Sequence, residues 1–205
     1  MYQTRAETSK KLPIKRKGTK YIARPSSHIQ NSVPVVIAVR DMLKLAGTSK
    51  EVKHMIKNKT LKINGKEVKD YRESIKLFNI FEADRHYVLT LTENNRFKLE
   101  PTKSKERICK VANKTLVKGN KIQLNLHDGS TILTKEKINT TDTIYLSPEN
   151  KIVKTVPMEK GKECFVSSGK YVGSKGKIES IEENKVTIKL KDKTVELNKS
   201  NLIAL

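Results

Sequence analysis

The sequence lacks several features that mark common functional classes. It has no tryptophan, only 5% aromatic residues and two cysteines, Cys109 and Cys164, which lie far apart. Their separation does not match the close ligand spacing of a zinc site, and two cysteines do not make the disulfide framework of a small secreted protein. A single disulfide between them stays open. No apolar run reaches the roughly 18 residues needed to span a bilayer, and the N-terminus has no apolar secretion signal. We therefore expect a cytoplasmic chain without a membrane partner.

Positive charge is the main feature that the sequence does have. Its 205 residues include 43 Lys and Arg against 22 Asp and Glu, a formal net charge of +21. Such a surplus attracts polyanions, and nucleic acid is the polyanion that fits when membrane signals are missing. Because aromatic residues are scarce, we expect phosphate contacts to dominate over stacking of bases on aromatic side chains.

Candidate catalytic residues do not fall into a catalytic pattern. The stretch from Gly173 to Lys177 superficially resembles a phosphate-binding loop, but Tyr171 occupies the position of the first required glycine. Ile178 stands where that loop needs serine or threonine. The four histidines are scattered, at positions 28, 54, 86 and 127. We expect no catalysis, no cofactor, no metal site and no small-molecule substrate.

Residues 1–34 have almost no apolar periodicity and are interrupted by proline and glycine. Such a segment is often a solvated, disordered arm. Its basic character favours an extension that orders on RNA phosphates. The candidate RNA-binding residues in this extension are Lys15, Arg16, Lys17, Lys20 and Arg24.

Residues 35–70 predict two short helices followed by a hairpin. Apolar residues from Val35 to Ala46 recur at helical spacing, and Gly47 is expected to end the first helix. Thr48 to Glu51 forms a capping-box sequence that opens the second helix, and Asn64-Gly65 is a strong hairpin signal. This order resembles the alpha-L RNA-binding module. The candidate RNA-binding residues here are Arg40, Lys44, Lys50, Lys53, Lys57, Lys59, Lys62 and Lys66.

Short apolar segments separated by turn residues then predict a central β-barrel or sandwich over residues 71–156. A last unit, residues 157–205, has glycines at 169, 173 and 176 among lysines, followed by two more strands. Its glycine spacing resembles a KOW motif, which implies a small SH3-like barrel. Lys170, Lys175 and Lys177 are its candidate RNA-binding residues.

The stretch from Lys118 to Gly129 carries the most specific resemblance. It is similar to the signature K-G-G-K-I-Q-L-N-L-H-D-G of the "e" type of small-subunit ribosomal protein four, found in archaea and eukaryotes. Asn120 departs from that signature, and Ser130 replaces a basic residue that follows it. Leu12–Lys17 and Val39–Lys44 resemble two further motifs of the family. Lys118 and Lys121 complete the candidate RNA-binding set.

The resemblance implies a multidomain α+β protein in which a basic arm, an alpha-L module, a β domain and a KOW barrel follow one another. It implies a structural constituent of the small ribosomal subunit, with ribosomal RNA and neighbouring ribosomal proteins as partners. Two alternatives stay open: a KOW-type transcription or translation factor, and the accessory domain of an RNA-modifying enzyme. Neither a separate catalytic domain nor a broad apolar patch for a polymerase is apparent in the sequence.

Overall fold

A computed structural model of the chain describes residues 2–119, 121–190 and 193–205; Asn120, which stands in the predicted signature turn, lies outside them. The chain forms two compact units, Met1–Arg107 and Ile108–Leu205. Both consist mostly of short strands in several sheets. The predicted α+β class is therefore confirmed in a coarse form, as a mostly β protein with few helices. The four-part division at residues 34, 70 and 156 stays a prediction.

The first unit contains a two-stranded ribbon (β1–β2), a strand pair (β3–β6) and a five-stranded sheet of order β5-β4-β7-β8-β9. Its elements in chain order are β1 Tyr2–Thr4, β2 Tyr21–Ala23, β3 Ser32–Pro34, α1 Val35–Ile37, a π-helix Ala38–Met42, α2 Ser49–Lys57, β4 Lys62–Ile63, β5 Lys66–Glu67, β6 Ser74–Lys76, β7 Ile80–Glu82, β8 His86–Leu91 and β9 Phe97–Pro101.

The N-terminal segment is more ordered than its sequence pattern predicts. Leu12 and Ile22 are buried, and the backbone N–H of Phe97 donates to the carbonyl of Lys11 at 2.8 Å. The expectation of an irregular segment is confirmed for residues 5–20, which contain no helix or strand, whereas residues 2–34 also include three short strands that it did not predict. A few widely spaced apolar anchors hold this segment, and a search for periodicity does not detect such anchors.

The first predicted helix is present but short and irregular. The N–H of Leu43 donates to the carbonyl of Ala38, five residues earlier, which is the hydrogen bond of a π-helix. Lys44 then takes a left-handed backbone conformation with φ 57° and ends the helix. Gly47 was expected to be the terminator; the helix has already ended at Met42.

The capping box and the hairpin turn are both confirmed. The Thr48 hydroxyl accepts from the N–H of Glu51 at 3.3 Å, while the Glu51 carboxylate accepts from the N–H of Gly47 at 2.8 Å. Asn64 and Gly65 have φ of 52° and 79°, the left-handed pair that a tight two-residue turn needs. The Asn64 side-chain oxygen also accepts from the N–H of Ile80 at 2.9 Å, which ties the turn to β7.

The second unit contains two five-stranded sheets, of order β12-β11-β10-β13-β14 and β18-β17-β16-β15-β19. Their elements are β10 Arg107–Val117, β11 Lys121–Leu126, β12 Thr131–Thr134, β13 Thr143–Leu146, β14 Ile152–Val156, β15 Glu163–Val166, β16 Lys175–Ile181, β17 Lys185–Lys189, β18 Thr194–Asn198, a 3₁₀ turn Lys199–Asn201 and β19 Leu202–Ala204.

Most strands of this unit lie where the sequence predicts them, because each alternates apolar and polar residues. Two strands differ from the prediction: Lys175–Ile181 was expected to belong to the glycine-rich turn, and Leu202–Ala204 was not predicted as a strand. Strand β10 also differs, since it continues to Val117 although only Ile108–Val111 was predicted. Its outer half is solvent-exposed, and Leu116 is 82% exposed. Because neither face of this half of the strand is buried, its sequence does not alternate apolar and polar residues, and periodicity does not predict it.

Each sheet of the second unit has a small apolar core. The first is centred on Leu124, Ile144 and Leu146, and the second on Ile178, Ile188 and Leu202. In the second sheet Gly169 and Gly173 have φ of 98° and 83°, as expected for the glycine-rich turn. Gly176 is constrained differently, because a Cβ there would lie 2.7 Å from the backbone carbonyl oxygen of Lys189.

A buried lysine joins the two sheets. Lys110, on β10, is 6% exposed, and its ammonium donates to the carbonyls of Lys199 at 2.6 Å and Ser200 at 2.9 Å. Its backbone N–H donates to the ring Nδ1 of His127 at 3.1 Å. Burial lowers the pKa of Lys110 to about 8.

The close approach at Gly176 generates a stability prediction. We expect Gly176→Ala to lower the free energy of unfolding by about 1–3 kcal/mol, because the added methyl group meets a backbone oxygen that cannot move aside. Gly47→Ala is the matched control, since its Cβ would meet nothing closer than 3.8 Å. Urea denaturation measures both variants, and equal unfolding free energies would contradict the packing described for β16 and β17.

The environment of Lys110 generates a pH prediction. In the unfolded chain this lysine titrates near pH 10.5, whereas burial lowers its pKa to about 8. Between these values the unfolded state binds more protons, so raising the pH favours the folded state. We expect the unfolding free energy of the parent, relative to Lys110→Met, to rise from below pH 8 to near pH 10.5. A difference that is constant over this range would contradict the burial of the ammonium.

Candidate nucleic-acid interface

The predicted RNA-binding residues are nearly all at the surface. Arg24, Arg40 and Lys62 are half-buried and the others are exposed. The thirteen from Lys15 to Lys66 belong to the first unit, and the five from Lys118 to Lys177 belong to the second. Each unit therefore presents its own set of cations.

Helix α2 separates apolar and cationic faces as its sequence predicts. Val52 is fully buried, while Lys50, Lys53 and Lys57 are exposed. The Lys53 ammonium, in the middle of the lysine row, lies 5.0 Å from the ring centroid of Tyr71, a cation–π contact. The capping box at Thr48 sets where the helix begins and thus where the three lysines lie.

Two of the predicted cations are neutralised locally. Arg40 pairs with Asp41 at 2.8 Å, and this hydrogen bond raises the pKa of Arg40. Lys59 pairs with Glu67 at 3.1 Å. These two contribute less net positive charge to a phosphate-binding surface than their neighbours do.

The loop that carries Lys15 to Lys20 is organised by a residue that sequence reasoning missed. The Arg5 guanidinium donates to the carbonyls of Lys15 and Thr19, the latter at 2.8 Å, and to the Thr19 hydroxyl at 3.1 Å. These acceptors lie 10 and 14 residues away in sequence, so no local motif reveals the contact. Arg5 therefore holds a basic loop in one conformation.

In the second unit the cations follow strand alternation. Lys175 and Lys177 are exposed on β16, whereas Ile178 is in the core. Lys177 lies opposite Lys189 of β17, an exposed lysine that sequence reasoning missed although its alternation with Ile188 was visible. Lys170 lies over the ring of Tyr171 at 5.8 Å, and Lys118 and Lys121 are exposed beside the turn between β10 and β11.

Potential metal ligands are dispersed in the described part of the chain, and both cysteines are buried. Among residues 2–119, 121–190 and 193–205, no group of three or more His, Cys, Asp or Glu is placed to hold a metal ion. The described helices include none long and apolar enough to cross a bilayer. Cys109 and Cys164 are buried and not joined by a disulfide, and burial raises the pKa of Cys164 to about 11.

Comparison with family models gives two matches along the chain. The model of ribosomal family S4e matches residues 83–153, and the KOW motif matches residues 160–191. The second match confirms the predicted KOW motif in the last part of the chain.

Similar proteins are found along most of the sequence. The small ribosomal subunit protein eS4 of Methanocella arvoryzae is 34% identical over 177 residues, which covers 82% of this chain and 76% of that protein. The protein of the same name from Archaeoglobus fulgidus is 32% identical over 187 residues, covering 88% and 80%. The crystal structure of the 30S ribosomal protein S4e from Thermoplasma acidophilum superimposes with a TM-score of 0.73 at 25% identity, covering 85% of this chain and 95% of that one.

The lysine row of α2 generates a prediction about salt dependence. We expect replacement of Lys50, Lys53 and Lys57 by alanine to weaken RNA binding and to flatten its log–log dependence on salt. Each lost phosphate contact removes about 0.7–0.9 from the slope, so three contacts remove about 2–3.

A control triple variant removes the same formal charge elsewhere. Lys98, Lys151 and Lys185 are each paired with a glutamate at 3.1, 2.8 and 2.8 Å, and we expect their replacement by alanine to change the slope less. Filter-binding titrations over a series of salt concentrations compare the two variants. Equal slopes for both would place the phosphate-binding surface away from α2.

Proposed function

The chain belongs to the S4e family of ribosomal proteins, and from that membership we propose that it is a structural constituent of the small ribosomal subunit that binds ribosomal RNA. The observation that carries the proposal is the 34% identity over 82% of the chain to a small ribosomal subunit protein eS4. It acts in translation as part of the ribonucleoprotein, in the cytoplasm, and supports assembly of the subunit.

Electrostatics supports this role. A chain with a net charge of +21 repels itself, and a polyanion that contacts both units relieves that repulsion. Several candidate cations, among them those of α2 and β16, lie on elements whose opposite face is buried, so their backbone is already fixed at the surface before binding. Lys50, Lys53 and Lys57 on α2 and Lys175 and Lys177 on β16 are the strongest candidates for phosphate contacts.

We propose that the first unit uses helix α2 and the hairpin that follows it as an alpha-L module. Helix α2 is followed directly by the Asn64-Gly65 hairpin, and Lys50 and Lys66 are both exposed. In this arrangement the helix and the hairpin contact neighbouring stretches of the RNA backbone. The KOW sheet supplies a second, separate set of contacts through Lys170, Lys175 and Lys177.

The proposal assigns the chain no catalytic step. Its partners are small-subunit ribosomal RNA and adjacent ribosomal proteins. The four-part division of the chain is part of the same proposal, with boundaries near residues 34, 70 and 156, and with an SH3-like barrel at its C-terminal end.

Association with ribosomal subunits tests the proposal. Lysates of cells that produce the chain are separated on sucrose gradients at high salt, and the chain is followed by an antibody. We expect it to sediment with small subunits, because a structural constituent also makes base, sugar and protein contacts, which depend less on salt than its phosphate contacts do. A chain that leaves the subunits at moderate salt and sediments with RNA polymerase, or alone, would contradict the proposal and favour a transcription factor or an RNA-modifying enzyme.

A further inference from the structure

The first unit contains a cavity whose ligand is not identified by the lysine surfaces described above. Its volume is about 540 Å³, and it lies among the β1–β2 ribbon, the loop held by Arg5, the π-helix and the start of α2. This volume is within the range of about 300–1,000 Å³ that is typical of small-ligand sites. The buried side chains of Ile22 and Val36 form apolar parts of its wall.

The charged residues that line the cavity are mostly cationic. They are Arg5, Lys15, Lys17, Arg40, Lys53 and a single described carboxylate, Asp41. Asp41 is bound by Arg40 at 2.8 Å. Within the described part of the chain, Lys15 and Lys17 have no carboxylate partner, so the cavity keeps a positive field that attracts an anion.

Aromatic side chains are concentrated at the same place. Three of the six tyrosines of the chain, Tyr2, Tyr21 and Tyr71, line this cavity. In the β1–β2 ribbon, Tyr2 lies opposite Ala23 and Thr4 lies opposite Tyr21, so Tyr2 and Tyr21 are diagonal neighbours on one face. They are 64% and 56% exposed, and the Lys20 ammonium lies 5.4 Å from the Tyr21 ring centroid, so one face of that ring carries a cation.

Tyr71 forms a different part of the cavity. Lys53 and Arg72 lie 5.0 and 5.5 Å from its ring centroid, and the side chain is half-buried. Burial and the neighbouring Tyr2 hydroxyl raise the pKa of Tyr71, so it stays a neutral phenol at physiological pH. Tyr71 thus belongs to the fixed wall, while Tyr2 and Tyr21 are the accessible aromatic surfaces.

A ligand that matches this wall carries a flat aromatic ring and a negative charge close together, as a nucleotide does. We propose that the cavity binds one unpaired nucleotide of the bound RNA, with its base stacked on the Tyr2–Tyr21 face and its phosphate held by Lys15 and Lys17. This inference rests on the proposed function. An unpaired nucleotide fits best, because moving an unpaired base out of a stack costs less free energy than extruding a paired base. Aromatic side chains are also the usual stacking surface for splayed bases in RNA. Phosphate contacts still dominate over the whole chain, and stacking is confined to this one site.

Two double variants of the full chain test the inference. Tyr2→Leu with Tyr21→Leu keeps apolar volume but removes the flat rings, whereas Tyr2→Phe with Tyr21→Phe keeps the rings and removes only the hydroxyls. The probe is a full-length transcript of small-subunit ribosomal RNA. Both positions are largely exposed, so we expect both variants to fold, and thermal melts check this.

We expect the leucine pair to bind the transcript about tenfold more weakly, since stacking of a base on an aromatic side chain typically accounts for a loss of this order. Its salt slope should be unchanged, because no phosphate contact is lost. The phenylalanine pair should bind within about twofold of the parent, as stacking is retained. A separate Lys15→Ala, Lys17→Ala variant should lower the salt slope by about 0.7–0.9, because both lysines hold the same single phosphate.

Three other outcomes would contradict either the inference or the proposed function. If the leucine and phenylalanine pairs bind the transcript equally, no base stacks in the cavity and the inference is wrong, while the proposed function stands. If a free nucleoside monophosphate binds as tightly as the transcript, the cavity is a small-molecule site and the inference is also wrong. If the parent chain itself fails to bind the transcript, the proposed function is what fails.

Discussion

Repulsion among like charges is the constraint on which this structure depends. With 43 cationic side chains in 205 residues, the chain has to keep its lysines and arginines apart and in water while it buries enough apolar surface to fold. Short antiparallel strands meet both needs, because alternate residues point to opposite faces. Strand β16 is a clear case, with Lys175 and Lys177 exposed and Ile178 in the core. The same alternation that builds the small cores also builds the cationic faces.

The exceptions to this separation occur where polar groups hold parts of the chain together. Lys110 is buried, and two backbone carbonyls solvate its ammonium, so a charge that would otherwise be costly joins the two sheets of the second unit. Arg5 acts similarly in the first unit, where its guanidinium donates hydrogen bonds to the carbonyls of Lys15 and Thr19 in a basic loop. These two cations shape the surfaces on which the other cations lie.

Much of this organisation is predictable from local sequence, and the rest depends on contacts that are distant in sequence. The Thr48–Glu51 box and the Asn64-Gly65 turn are visible because a few adjacent residues determine them. The anchoring of residues 2–34 is not visible, because it depends on contacts distant in sequence, such as the hydrogen bond from the N–H of Phe97 to the carbonyl of Lys11. The Tyr2–Tyr21 face is likewise hidden, since strand pairing brings together residues that lie 19 positions apart. The family signature gave the biochemical role, while the individual RNA contacts stay predictions.

The central claim, that this chain binds ribosomal RNA as a part of the small subunit, is tested most directly by ultraviolet cross-linking in living cells. The cross-linked nucleotides are mapped by sequencing, and the cross-linked peptides are identified by mass spectrometry. The account predicts nucleotides concentrated at a few positions of small-subunit ribosomal RNA, joined to peptides from both Met1–Arg107 and Ile108–Leu205. Cross-links that are dispersed over messenger or transfer RNA, with none enriched in small-subunit ribosomal RNA, would contradict it.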